Sequence, residues 1–506
     1  MAARYVTELM GAFERYGEGV AIGVGPEVLR FSEVLEAVHR LAGVLGDAGV
    51  GRGAGLACVT GANRPEMLLV RLAAHVLGAR LTQVVVGPAV HGLDFILRDC
   101  RPALVVHDVP VPATGVPQLG LDELAGRAAA REYVELPVRA REDDVARVTY
   151  TGGTTGQPKG VASTFGAMAA RDGRRGARWT ESVYLSVADL DQRSGGRCLE
   201  QLRDGGRVEI LAPFEPRGFA AACSRLGRVS TYLTPSMVYR LLDDPATARG
   251  IPGLEAVSYG ASPILPERLR EAVTRWGGRW RQGYGMNEAG VICRLTPADH
   301  DAAVSDRPEL LASVGRPAPG VEVQVRDDGG VVLPAGRTGE VWVRSRSMMA
   351  GYWNQPELTA DALRDGWLRT GDLGHTDAGG YLYLDDRTKD VVMVDSENIY
   401  SAPIEAALAR HPAVAQAVVV GRPSAVTGEE LCAFLVPAPG CTPSGTVAAE
   451  ACELVERALA PLHRPTTVFW ERKLPLTGRG KPDKGRLRDR AAGAAPGAGL
   501  PGRPGS

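Results

Sequence analysis

Tyr150-Thr-Gly-Gly-Thr-Thr-Gly-Gln-Pro-Lys-Gly160 follows the strand-like run Val145-Ala-Arg-Val-Thr149. Gly152, Gly153 and Gly156 let the backbone turn its N–H groups inward as a nest for an anion. Thr151, Thr154 and Thr155 add hydroxyl donors, and Lys159 adds a point charge. Such a density of donors reads as a polyphosphate cradle. It is not the loop of the P-loop nucleotidases, because the order G-x-x-x-x-G-K-[ST] is absent. Lysine itself is scarce: only Lys159, Lys389, Lys473, Lys481 and Lys484 stand among the 58 basic residues, the rest being arginine. A chain that writes arginine for most positive charges keeps lysine where a compact, movable ammonium is useful.

Outward from this loop, helical and strand patterns alternate. Val34, Val38, Leu41 and Leu45 follow helical spacing behind Ser32, which is expected to be the N-cap. Runs at 56–60, 81–86 and 103–107 read as buried strands separated by helices at 64–78 and 91–99. Further strand-like runs stand at 146–150, 207–212, 230–234, 254–259 and 279–283. The alternation predicts an α/β chain with mostly parallel sheets flanked by helices. From about 313 the pattern changes: Val321–Val325 and Gly339–Arg344 alternate with period two around the turn at 327–330, which predicts a β-rich subdomain up to 386. A large domain over 1–387 and a small α+β lid domain over 388–490 are expected. In the latter, a helix should bury Val447, Ala451, Leu454 and Ala458. Residues 491–506, rich in Ala, Gly and Pro, are expected to be a disordered tail. There is no tandem repeat.

Composition sets the outer limits. At 506 residues, 44% hydrophobic and 23% charged, the chain is an ordinary globular sequence. Its 58 basic and 59 acidic residues nearly cancel, which argues against nucleic-acid partners and against an anionic-membrane patch. No apolar run reaches ~18 residues, so no membrane span is expected, and Glu8 and Glu14 interrupt any signal core. A cytoplasmic location is expected. The eight cysteines include no C-x-x-C pair, and read as free small hydrophobes rather than a zinc site or disulfide framework.

Six motifs in order resemble the adenylate-forming superfamily of acyl-CoA synthetases, adenylation domains and luciferases, over residues 30 to 488. They are the loop 150–160, Tyr259-Gly-Ala-Ser-Pro263, Gly283-Tyr-Gly-Met-Asn-Glu-Ala-Gly290, Trp367-Leu-Arg-Thr-Gly-Asp372, Asp386-Arg-Thr-Lys-Asp390 and Pro475-Leu-Thr-Gly-Arg-Gly-Lys481. The resemblance implies attack of a carboxylate on the α-phosphorus of ATP with loss of pyrophosphate. It gives Lys159 and the loop the β- and γ-phosphates, and Glu288 the Mg²⁺ ion. Gly260, Ala261 and Ser262 would line the acyl and adenine site. Tyr284 would cover the adenine, with Gly285, Met286 and Asn287 beside the nucleotide. Asp372 would accept from the ribose hydroxyls, and Arg387 would lie near the ribose. Lys481 would meet the carboxylate and α-phosphate from the small domain, so the chemistry needs that domain to close about a hinge at Lys389.

The departures concern substrate and acceptor. Asn287 stands where the family has Thr or Ser, and Phe165 replaces a common His. Where the family has its acyl-pocket motif, this chain reads Asp189-Leu-Asp-Gln-Arg-Ser-Gly-Gly196. These charges suggest a small, polar or aromatic acid rather than a long alkyl chain. Asp395 and Ser396 replace a Gly-Gly that lines the pantetheine tunnel in many CoA ligases, and would narrow it. The Arg171, Arg174, Arg175 and Arg178 cluster could meet CoA phosphates or be solvated. The expected reading is an ATP-dependent ligase passing a small acid to CoA. The alternative keeps the adenylation but uses a carrier-protein thiol, an amine or nitrite, the last as in ATP-dependent diazotases. A nucleotide-binding protein without ligase activity fits poorly with retained Lys159, Glu288, Asp372 and Lys481.

Overall fold

The computed structural model describes residues 2–86, 92–113, 115–151, 158–171, 182–387, 390–394, 397–424, 427–477 and 481–494. Two large sheets carry the first part of the chain. One has seven strands, running in space from Gly351–Tyr352 through Lys159–Thr164, Val145–Thr151, Arg80–Val85, Gly55–Thr60 and Leu104–His107 to Gln118–Gly120. The other has nine, with Arg279–Met286, Leu254–Gly260, Val229–Leu233, Val183–Ser186, Val208–Ile210 and Val20–Val24 as its parallel centre. Both match the expected α/β class.

Their strands are parallel because helices return the chain between them. Gly55–Thr60 is buried at every position, as a strand covered on both faces must be. Helix Glu66–Leu77 has no polar face of its own, and Met67 through Leu77 are all buried. It belongs to a core that joins Leu56, Leu81 and Val106 of one sheet to Ile22, Tyr184 and Val208 of the other.

A five-stranded antiparallel sheet covers 321–387. Its Val341, Val343 and Leu368 share a core with Val161 and with Ala289 and Ile292. This packing sets the sheet against the end of both large sheets. A separate five-stranded sheet between Val392 and Trp470 has its own core, built on Ile404, Val419, Leu435 and Val455. The mixed α/β chain thus has a large N-terminal domain of sheets and helices and a smaller C-terminal one. Thr388 and Lys389, where the expected boundary falls, lie outside the described residues.

Three local expectations are corrected. Arg30, not Ser32, is the N-cap of helix Phe31–Asp47: its N–H donates to Glu33, and the N–H of Ser32 instead donates to the carbonyl of Gly17. Helix Gly445–Ala458 buries Ala448, Ala451, Cys452 and Val455, while Ala458 is exposed. The packed face is rotated by about one residue, since small side chains let the helix approach the sheet closely. Helix Lys484–Gly493 extends into the expected tail, because Leu487 and Ala491 pack under Val418 and Phe434. Residues 495–506 lie outside the described residues. Seven of the eight cysteines are buried and Cys441 is exposed. Among the described residues no helix is long and apolar enough to cross a membrane.

Candidate active site

The strands on either side of the glycine-threonine loop form an antiparallel hairpin pair. Strands Val145–Thr151 and Lys159–Thr164 pair antiparallel, with Thr151 opposite Lys159 and Tyr150 opposite Gly160. Gly152, Gly153, Thr154, Thr155 and Gly156 lie outside the described residues. Their flanks are firmly held. Tyr150 donates to Asp99 at 2.6 Å, and the N–H of Trp353 donates to the carbonyl of Gly160 at 2.7 Å. A Cβ on Gly160 would lie 2.9 Å from Val148 and 3.1 Å from Trp353, so this close approach requires glycine.

The short strand Gly351–Tyr352 pairs with the hairpin and brings in a residue that the motifs did not reveal. Tyr352 places its ring 5.7 Å from Nζ of Lys159 and donates its hydroxyl to Oε1 of Glu288 at 3.1 Å. Burial, followed by the Glu288 charge, pushes the Tyr352 hydroxyl well above its ordinary pKa, so it stays a donor. Glu288 is 8% exposed, and its other carboxylate oxygen accepts no hydrogen bond among the described residues. Its carbonyl accepts from the N–H of Met349. Lys159 and Glu288, 129 positions apart in sequence, thus meet on either side of one tyrosine.

Strand Trp367–Thr376 delivers Asp372, buried at 5% exposure. The hydroxyl of Tyr284 donates to one carboxylate oxygen at 2.6 Å. Nε of Arg387, opposite Asp372 in the neighbouring strand, pairs with the other oxygen at 2.9 Å. Burial and Asp372 keep Tyr284 protonated far above pH 10, and the Asp372 charge raises the Arg387 pKa. Each oxygen retains a lone pair for a further donor. Tyr284, Asp372 and Arg387 therefore form one unit.

Strand Leu254–Gly260 ends in an unusual turn. Gly260 has φ +159° and Ala261 has φ +74°, a left-handed conformation rare for alanine. Ala261 is exposed and Ser262 half-buried. Gly285 and Met286 close the neighbouring strand at a bulge. Asn287 is held through its carbonyl: Nη2 of Arg171 reaches it at 2.7 Å, while Nε of Arg171 reaches the carbonyl of Ser347 at 3.0 Å. Burial lowers the Arg171 pKa to about 10. Arg171 is thus an internal clamp, which corrects its assignment to a solvated or CoA-facing cluster. Arg174, Arg175 and Arg178 lie outside the described residues.

The turn at 188–192 is pinned from two sides. Asn63 accepts from the N–H of Leu190 and donates to the carbonyl of Ala188. Arg147 donates to the carbonyl of Asp191 and carries a pKa lowered to about 9 by burial. Phe165 is fully buried edge-on to His75, so it belongs to the core. Lys481 is exposed, and its carbonyl accepts from the N–H of Thr477 at 2.7 Å. Leu474, at the base of this segment, packs in the small domain's core. Asp395 and Ser396 lie outside the described residues.

Comparison with known proteins adds an independent line. Residues 12–353 match the sequence model of the family described as AMP-binding enzyme, and 403–481 match that of the AMP-binding enzyme C-terminal domain. The chain is 32% identical to a medium/long-chain-fatty-acid–CoA ligase of Mycobacterium tuberculosis, over 95% of this chain and 89% of that one. It is 32% identical to a feruloyl-CoA synthase of Amycolatopsis sp, over 93% and 95%. Among solved structures it is similar to the amide bond synthetase McbA from Marinactinospora thermotolerans, with a TM-score of 0.83 and 33% identity, over 96% of this chain and 100% of that one.

Proposed function

Since the chain belongs to the AMP-binding enzyme family and is an AMP-forming, acyl-CoA synthetase-like ligase, we propose that it activates a small polar or aromatic carboxylic acid as an acyl-adenylate, releases pyrophosphate, and passes the acyl group to CoA. The observation that carries this reading is the convergence of Lys159, Tyr352 and Glu288 beside the Tyr284–Asp372–Arg387 unit. A cation at the start of a strand and a buried carboxylate suit a metal-bound triphosphate, and a second carboxylate with spare lone pairs suits a ribose.

Mg²⁺ fits the donors present. Glu288 offers one oxygen without a protein donor among the described residues, and magnesium takes one or two carboxylates plus phosphate oxygens and water. When bound, the ion would neutralise charge on the phosphates. The chain's own residues do the rest. Thr151 to Gly156 and Lys159 hold the β- and γ-phosphates. Gly260, Ala261, Ser262, Gly285, Met286 and Asn287 shape the wall on which the adenylate forms. Asp372 and Arg387 orient the ribose, and Tyr284 orients Asp372 as well as covering the base. Lys481 supplies positive charge to the attacking carboxylate and the α-phosphate once the domain following residue 387 closes. Such positioning and charge stabilisation are the main means of phosphoryl-centre catalysis. The reaction belongs in the cytoplasm, where ATP and CoA are at hand.

A second reading changes only the acceptor, to an amine, nitrite or a carrier-protein thiol, in natural-product biosynthesis. The likeness to an amide bond synthetase favours it, as do Asp395 and Ser396 in place of glycines. Pyrophosphate release is the test, measured with a panel of small acids, with and without CoA. Acid-dependent release followed by acyl-CoA supports the first reading. Release that no CoA ester follows, with an amide formed on adding amines, supports the second. Absence of acid-dependent release refutes both.

A further inference from the structure

The acyl end of the crevice bears a charge pattern that specifies the acid, an inference that rests on the ligase reading above. A Cβ built on Gly283 would meet nothing within 4 Å, so the strand face there opens on space. Residues two apart share a strand face, which puts Arg281 on that face one step deeper. The antiparallel register sets Arg294 directly opposite Gly283. On the parallel side Ser258 stands opposite Arg281, and Tyr232 opposite Ser258. Apart from Ala256, the face carries arginine, serine and tyrosine side chains.

Helix Arg193–Arg203 covers it. Ser194 on this helix makes hydroxyl contacts to Ser186 at 2.8 Å and Tyr184 at 3.3 Å on the sheet. The helix brings in Arg193 and, one turn on, Arg197. Arg193 is in electrostatic reach of Arg294 on one side and on the other of Arg171, which itself senses Glu288. The arginines are therefore continuous with the Glu288 end of the site. Glu200, 3.0 Å from Arg197, lies among them, while Asp191 faces Arg147. The first turn of the helix carries no acid, so its positive end adds to the field.

The cluster is not self-sufficient. Arg197 is 8% exposed and its Nε has no hydrogen-bond partner among the described residues. The hydroxyl of Ser230, on the face of Tyr232, is buried without one as well. Burial, followed by the neighbouring arginine charges, lowers the pKa of Arg281 to about 10 and that of Arg294 in the same direction. Arg197 is buried while Arg281 and Arg294 are half-buried beside it, and like charges set this close favour an anion that joins them.

We propose that the crevice binds an acid carrying a second anionic group: the reacting carboxylate sits beside Gly283 and Asn287, and the second carboxylate or sulfonate is held by Arg197, Arg281 and Arg294. The planar fork of arginine suits both anions. Arg281 lies two strand positions from Gly283, about 7 Å. That separation fits a four-carbon diacid or two anions carried on one benzene ring.

Matched acids test this: succinate against butyrate, and isophthalate and 3-sulfobenzoate against benzoate. Calorimetric binding of each acid to the full chain reads the charge preference, and pyrophosphate release in the same preparations reads the activity. Tighter binding of the dianions by roughly 10-fold or more is expected, from one charge-assisted contact set. Arg294→Met and Arg281→Met should each erase most of that preference while changing monoacid binding by less than threefold, and Arg294→Lys should keep part of it. ATP binding by each variant checks that it is folded. Equal binding of monoacids and dianions by the wild type overturns the proposal, as does a preference that survives both methionine variants. Preferential dianion binding without pyrophosphate release supports the charged pocket and refutes the ligase reading instead.

Discussion

Asp372 shows how much one side chain can carry. Tyr284 and Arg387 each take one of its oxygens and fix the carboxylate plane, leaving lone pairs aimed elsewhere. Asp372→Ala should weaken AMP binding about 10- to 100-fold by calorimetry, from the loss of charge-assisted hydrogen bonds of ~1.5–3 kcal/mol each. An unchanged affinity would remove Asp372 from the nucleotide site. Tyr352 is the residue that motif reading missed, because it is one tyrosine in a two-residue strand. Tyr352→Phe keeps the ring near Lys159 but frees Glu288. It should raise the Mg²⁺ concentration needed for half-maximal pyrophosphate release several-fold, with Glu288→Gln raising it further. A metal titration identical to wild type in both variants would contradict the metal role. Ala261 holds a φ of +74° that glycine adopts without strain. Ala261→Gly should therefore stabilise the fold by up to ~1 kcal/mol in urea unfolding.

Among elements, helix Phe165–Arg171 has a task its sequence does not announce. Its last residue reaches across to bind the carbonyls of Asn287 and Ser347, and so ties the segment bearing Glu288 to the hairpin bearing Lys159. Arg171→Met would leave two inward-facing carbonyls unpaired and should cost about 2–4 kcal/mol of stability. It should also raise the KM for ATP. Arg171→Lys, with one compact ammonium in place of a fork, should restore only part of the loss. A variant with normal unfolding and normal KM would show that the clamp is dispensable. The hydrophobic patterns predicted these elements well where apolar side chains dominated, as in Val34, Val38, Leu41 and Leu45, all buried but for a trace. They misjudged helix Gly445–Ala458, where alanines and Cys452 carry the contact and periodicity is weak.

At the scale of the molecule, Lys481 and Lys484 are three residues apart and differ in burial. Lys484 pairs with Glu405 at 2.9 Å and touches Ser401, whose N–H donates to Asp386 of the large domain. Lys484→Met should destabilise the small domain, since it strands Glu405 and removes the contact to Ser401 at the domain junction. Lys481 is exposed, so Lys481→Ala should leave the unfolding curve and AMP binding unchanged while slowing single-turnover adenylation ~10²–10³-fold. Adenylation within a few-fold of wild type would take Lys481 out of the mechanism. The sequence by itself determined the α/β class, and it named the loop 150–160 as a candidate phosphate cradle and Glu288, Asp372 and Arg387 as candidate site residues. Those signals are local: turn chemistry, periodicity and short motifs depend on neighbours along the chain. Only the tertiary structure decided that Tyr352 joins Lys159 to Glu288, that Arg171 is an internal clamp, and that Arg197 comes within electrostatic reach of Arg281 and Arg294. These depend on strand register and on which helix covers which sheet face, and such long-range packing leaves no periodic trace in the order of residues.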